Sequence, residues 1–139
     1  MLNPAGLLPH TGAMCLLDQV AWWDQSGVLC TARSHLDPAN PLRRAGRLGI
    51  VCAAEYAMQA AAAHGALTSN ERQAPGVVAS LRDLRFGADR LDDPAHGTLS
   101  VRATLERREP AGSIYLLSVR REDGRNLLNG RALIITAKS

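Results

Sequence analysis

Aromatic side chains are scarce in this 139-residue chain: two tryptophans, two tyrosines and one phenylalanine, 4% in all. That is poor material for a surface that binds nucleic acid by stacking bases. Lysine is nearly missing too, with Lys138 the only one among 16 basic residues. The arginines are dispersed and interleaved with Asp and Glu, and the net charge is only +3, so no nucleic-acid partner is expected. The three cysteines, Cys15, Cys30 and Cys52, form no CxxC pair and no Cys/His pair at metal-ligand spacing. A disulfide scaffold and a structural zinc site are therefore not expected, and free thiols buried in a reducing compartment are. No apolar run comes near the ~18 residues of a membrane span, and no signal-peptide pattern is seen, so the expectation is a cytoplasmic location with no membrane partner. The length suits one compact domain over residues 1–139.

What the chain does have is alternation. Residues 14–23 read as a strand, Asp24-Gln25-Ser26-Gly27 as a turn, and 28–34 as a second strand, which together make a hairpin. A loop over 35–48 carries Pro38, Pro41 and Gly46. An Ala-rich helix follows over about 49–66. After a polar stretch at 68–76, four further strands are expected at 77–85, 97–107, 114–121 and 127–137, separated by turn residues such as Pro110-Ala111-Gly112 and Asp123-Gly124-Arg125. No internal repeat and no linker interrupts the pattern.

A helix with apolar residues on every side is expected to be buried. Two strands, one buried helix and four strands expected as an antiparallel meander make an α+β fold. A curved sheet wrapped around a central helix, the hot-dog architecture, satisfies that order. One such sheet leaves an edge and one side of the helix uncovered, so a dimer is expected. The helix carries a single carboxylate, Glu55, whose desolvation would be costly in that setting. A buried general acid or base is the chemistry that makes such a residue useful.

Three segments bear on the family. Leu8-Pro9-His10-Thr11-Gly12-Ala13-Met14-Cys15-Leu16-Leu17-Asp18-Gln19-Val20 is similar to an N-terminal "LPH…LLD.V" signature. Ser34-His35-Leu36-Asp37-Pro38 occupies the place of a loop that holds a catalytic histidine. Glu55-Tyr56-Ala57-Met58-Gln59-Ala60 is similar to a helix motif "E-x-x-x-Q-A". With these the chain resembles the 3-hydroxyacyl-[acyl-carrier-protein] dehydratases of the FabZ/FabA hot-dog superfamily, and most of all the short branch tied to aryl-polyene and other specialised-lipid clusters. It departs from the usual "GHFPG…PGV" loop. Glu55 lies 20 positions after His35, a longer gap than that family has, and Gly49 stands where a proline is common.

The resemblance implies dehydration of a 3-hydroxyacyl thioester, on an acyl-carrier protein or less readily on coenzyme A, with no metal and no redox cofactor. It implies His35 as base and Glu55 as acid, the two meeting across a subunit interface. Histidine suits the base because its pKa lies near neutrality. Unpaired N–H groups at the helix start, about Gly49, Ile50 and Val51, suit the enolate-like oxygen. Gln59, four positions after Glu55, lies on the same helix face and can orient the carboxyl or satisfy backbone groups. His64, nine steps of about 100° further on, falls on the opposite face. His10 is expected to be structural, His64 and His96 to be surface or loop residues, and Trp22-Trp23 to be core plus rim. Two other functions compete: a hot-dog thioesterase working from Glu55, and a non-catalytic subunit that pairs with an active hot-dog partner, homodimer and heterodimer both being open.

Overall fold

The computed structural model describes residues 2–8, 12–68 and 76–136. His10 and Lys138 lie outside them. The hairpin forms from β1 (Gln19–Asp24) and β2 (Gly27–Ala32), closed by Asp24, whose carboxylate accepts from the Ser26 and Gly27 N–H groups. A long connection leads to α1 (Ala53–Thr68). Then come β3 (Gly76–Phe86), β4 (Leu99–Glu109), β5 (Gly112–Arg120) and β6 (Asn126–Thr136). All six strands join one antiparallel sheet in the order β1-β2-β4-β5-β6-β3. The expected α+β arrangement, one helix against one antiparallel sheet, is what the chain adopts.

Register explains the core. Val20, Cys30, Val101, Val119 and Leu128 stand opposite one another across five strands, and all are buried. Val28, Ala103 and Leu117 form the next buried row. The helix lies on these rows with Ala53, Ala54, Ala57, Ala60, Ala61 and Ala63, whose small side chains let the two backbones approach closely. Burial pushes the Cys30 thiol up to about 12, which makes it an inert core residue, and none of the three cysteines is in a disulfide.

Several expectations need correction. The first strand starts at Gln19 rather than at 14, because Gly12–Met14 forms a 3-10 turn and Met14 and Leu16 are tied to the helix instead of to a neighbouring strand. Trp22 and Trp23 are 47% and 36% exposed, not core. A bulge between Val20 and Trp22 breaks the alternation on this edge strand. The helix is not buried all round: Glu55 and Ala66 are exposed and Met58 and Ala62 half-buried, so one stripe stays open. His64 is buried on the helix, neither a surface nor a loop residue, and His96 lies in the β3–β4 connection as a loop residue but is buried there.

Candidate active site

His35 sits in a 3-10 turn, Ser34–Leu36, directly after β2. Asp18 prepares that turn: its carboxylate accepts the Arg33 N–H at 2.7 Å while its own N–H pairs with Thr31. The next support comes from the helix. The Tyr56 hydroxyl, wholly buried, lies 2.7 Å from Ser34 Oγ and accepts from Asn40 Nδ2 at 3.0 Å. Since Ser34 Oγ donates to the Leu16 carbonyl at 2.6 Å, Tyr56 is the donor to Ser34. Asn40 also donates to the Ser34 carbonyl at 2.9 Å. The turn is thus fixed on both sides of the histidine.

The imidazole itself is treated differently. His35 is fully buried, yet neither ring nitrogen has a hydrogen-bond partner among the described residues. Burial pulls its pKa from 6.5 down to about 4. The Gly97 backbone, close enough to favour the charged ring but not aligned as a hydrogen bond, opposes this, and His96, Arg33 and Arg43 add to it. The ring is therefore uncharged at neutral pH. Gly97 has φ 64°, and a Cβ there would stand 2.9 Å from the Glu122 side chain, so glycine is needed where the backbone passes the ring.

The other predicted residues are spread along the start of the helix. Glu55 is in the first turn of α1, on the open stripe, and among the described residues it makes no hydrogen bond or ion pair. Gln59 is buried and fully committed: Oε1 accepts the Leu16 N–H at 2.9 Å and Nε2 donates to the Met14 carbonyl at 2.7 Å. It fastens the N-terminal segment to the helix. The Ile50 N–H, expected to be free, donates to the Asp89 carbonyl at 3.0 Å. The N–H groups of Gly49 and Val51 donate to no carbonyl among the described residues, and Val51 is 62% exposed. Cys52, on the turn before the helix, is held above its usual pKa by burial and then by Glu55.

Sequence reasoning gave no role to Ser34, Asn40 or Tyr56. The available signal was a tyrosine on an otherwise Ala-rich buried helix, since a buried hydroxyl requires a partner. His64, by contrast, does lie on the face opposite Glu55, as its spacing predicts. Its Nε2 stands 2.8 Å from the Asp24 carbonyl and its Nδ1 stands 2.7 Å from the Tyr115 hydroxyl. A carbonyl only accepts, so Nε2 carries the proton and Tyr115 donates to Nδ1. The clefts on β3–β6, lined by Arg82, Asp83, Glu106 and Arg131, contain none of the predicted site residues. Among the described residues no cluster of His, Cys, Asp or Glu is placed to hold a metal, and no helix is long and apolar enough to cross a membrane.

One helix packed against a single antiparallel sheet of six strands in this order is the hot-dog fold. The chain belongs to the ApeP-like family, described as ApeP dehydratase, whose sequence pattern it matches over residues 2–137. Comparison with curated proteins gives no match. Among solved structures it is similar to the dehydratase heterocomplex ApeI:P from Xenorhabdus doucetiae, with TM-score 0.85 and 19% identity, covering 100% of this chain and 93% of that one. It is also similar to AziG from S. sahachiroi, with TM-score 0.68 and 18% identity over 96% of this chain and 99% of that one. A Haemophilus influenzae thioesterase shares the fold at TM-score 0.71 and 13% identity, over 96% of this chain and 87% of that one.

Proposed function

We propose that the chain dehydrates a 3-hydroxyacyl thioester to the trans-2-enoyl thioester, with the acyl group carried on an acyl-carrier protein or, less readily, on coenzyme A. The observation that carries this is the state of His35: buried and without a hydrogen-bond partner among the described residues, its ring is uncharged at neutral pH and so in the proton-accepting form, though at a pKa of about 4 it is a weaker base than the near-neutral one expected. His35 removes the α-proton. Charge builds on the thioester oxygen, which the open N–H groups of Gly49 and Val51 are suited to bind. Glu55 protonates the departing C3 hydroxyl, which leaves as water, and the double bond forms between C2 and C3.

The two catalytic groups come from different subunits. Glu55 lies on the open stripe of α1, and His35 is wholly buried in the single chain, so the partner's Glu55 reaches the ring only if pairing opens the His35 turn. A second subunit set against that stripe desolvates Glu55 and brings a histidine to it. Because each chain carries both groups, a second copy completes two equivalent sites by symmetry. The likeness to the ApeI:P heterocomplex supports a second reading, in which the other subunit is a different hot-dog chain. The unpaired thiols fit a reducing cytoplasmic setting.

The test is an ultraviolet assay on a trans-2-enoyl thioester with a thiol reagent in a parallel channel, for the protein alone and with a co-expressed hot-dog partner. Loss of enoyl absorbance without thiol release is the expected result. Thiol release identifies a thioesterase, and silence under both conditions identifies a non-catalytic subunit.

A further inference from the structure

The loop before α1 holds three arginines, Arg43, Arg44 and Arg47. Arg44 and Arg47 are exposed, whereas the Arg43 side chain is turned inward and only 15% exposed. Its guanidinium is almost fully used. Nε donates to the Asp37 carbonyl at 2.8 Å, Nη2 to the His35 carbonyl at 3.0 Å, and Nη1 to the Gly46 carbonyl at 2.9 Å and to Asp92 Oδ2 at 3.0 Å. The Gly46 carbonyl reaches it because Ala45 and Gly46 both take positive φ, 52° and 74°.

The far end of this contact is fixed. Asp92, whose side chain is 2% exposed, also receives Arg90 Nε at 2.9 Å and Nη2 at 2.7 Å. Arg90 then Arg43 hold a carboxylate that stays ionised through the neutral range. Asp92 follows Leu91, whose N–H is bonded to the Leu48 carbonyl, so the anchor is tied to the same backbone that leads into α1. A surface arginine would meet one or two of these acceptors. Four acceptors, two of them the carbonyls of His35 and Asp37, describe a strut between the histidine turn and the start of the helix.

We propose that Arg43 is a positioning residue for the reaction, its guanidinium fork fixing the backbone of the His35 turn against Asp92 and so aiming the His35 ring. This rests on the reading of His35 as the base. Lysine keeps the charge but presents it from a single nitrogen, and cannot span acceptors in this geometry.

The experiment uses full-length protein labelled with ¹⁵N-histidine, as wild type, Arg43→Lys and Asp92→Asn, with hydration of a trans-2-enoyl thioester measured on each. Arg43→Lys is expected to lower kcat by about 10²-fold, the scale of a misplaced catalytic group, with KM within about threefold. Its His35 ring signals should move while those of His64, at the other end of the helix, stay in place. Asp92→Asn, which cuts the strut from its far side, should shift the same signals and lower kcat less; it decides the matter if Arg43→Lys does not fold. Unchanged kcat and unchanged His35 signals overturn the proposal, as does joint movement of His35 and His64 signals, which reports general loosening. If the wild type neither hydrates nor hydrolyses, the dehydratase reading fails. Movement of the His35 signals alone then still decides whether Arg43 holds the ring.

Discussion

His35 and His64 are both fully buried, at opposite ends of the same helix. His64 has each nitrogen satisfied, by the Asp24 carbonyl and by Tyr115, and joins the β1–β2 turn, α1 and β5. His35 has neither satisfied. Burial alone therefore does not mark function. A buried polar group left without a partner costs stability, and a fold keeps that cost where a substrate supplies the missing contact. The surroundings follow the same division: around His35 the hydrogen bonds fix the backbone and leave the ring free, while at His64 they fix the ring.

Substitutions should sharpen the contrast. The largest effect is expected for His35→Ala, with the loss of about 10²–10⁴-fold in hydration of an enoyl thioester; no ring hydrogen bond is removed, so any fall in melting temperature comes from the cavity left by a buried side chain. Glu55→Gln should cost about 10²-fold in the same assay and leave the melt unchanged, because the side chain is exposed within the chain. His64→Leu should invert the pattern. Stability falls by about 1–3 kcal/mol in a denaturant titration, as the Tyr115 hydroxyl and Asp24 carbonyl lose their partner, and the rate changes little. Tyr56→Phe should cost about 1 kcal/mol and move His35 ring signals without abolishing activity, because Ser34 and Asn40 keep their other bonds.

The contrast also predicts a pH dependence. Burial holds both imidazoles below the ordinary 6.5, His35 at about 4. As pH falls through 6.5 the unfolded chain takes up protons that the folded chain refuses, so stability declines from pH 6.5 towards 4. Melting curves across that window should show the decline, and His35→Ala should flatten it. Asp92, held ionised first by Arg90, acts only below its ordinary 3.8, outside this window.

Much of this was legible in sequence because it rested on local pattern. The succession of elements along the chain, the Asp24–Gly27 turn and the central helix follow from alternation and turn chemistry; a meander of the last four strands does not form, since β3 lies beside β6 and β4 beside β2. The site was legible only in part. Alanine gives no hydrophobic contrast between helix faces, so the open stripe through Glu55, Met58 and Ala62 left no periodic trace. His64 read as peripheral because its partner Tyr115 lies 51 positions away. The Ile50 N–H is taken by Asp89, and Gln59 by the segment at 14–16, through contacts that only the folded chain creates.

The central claim is a site shared between subunits, and mixing tests it most directly. His35→Ala and Glu55→Gln chains, each nearly inactive, would be unfolded together at equal concentration and refolded. If His35 of one chain works with Glu55 of another, half the dimers are mixed and each holds one intact site, so roughly a quarter of the wild-type hydration rate should return. A refolded mixture no more active than its separate components would contradict a site formed between two copies of this chain.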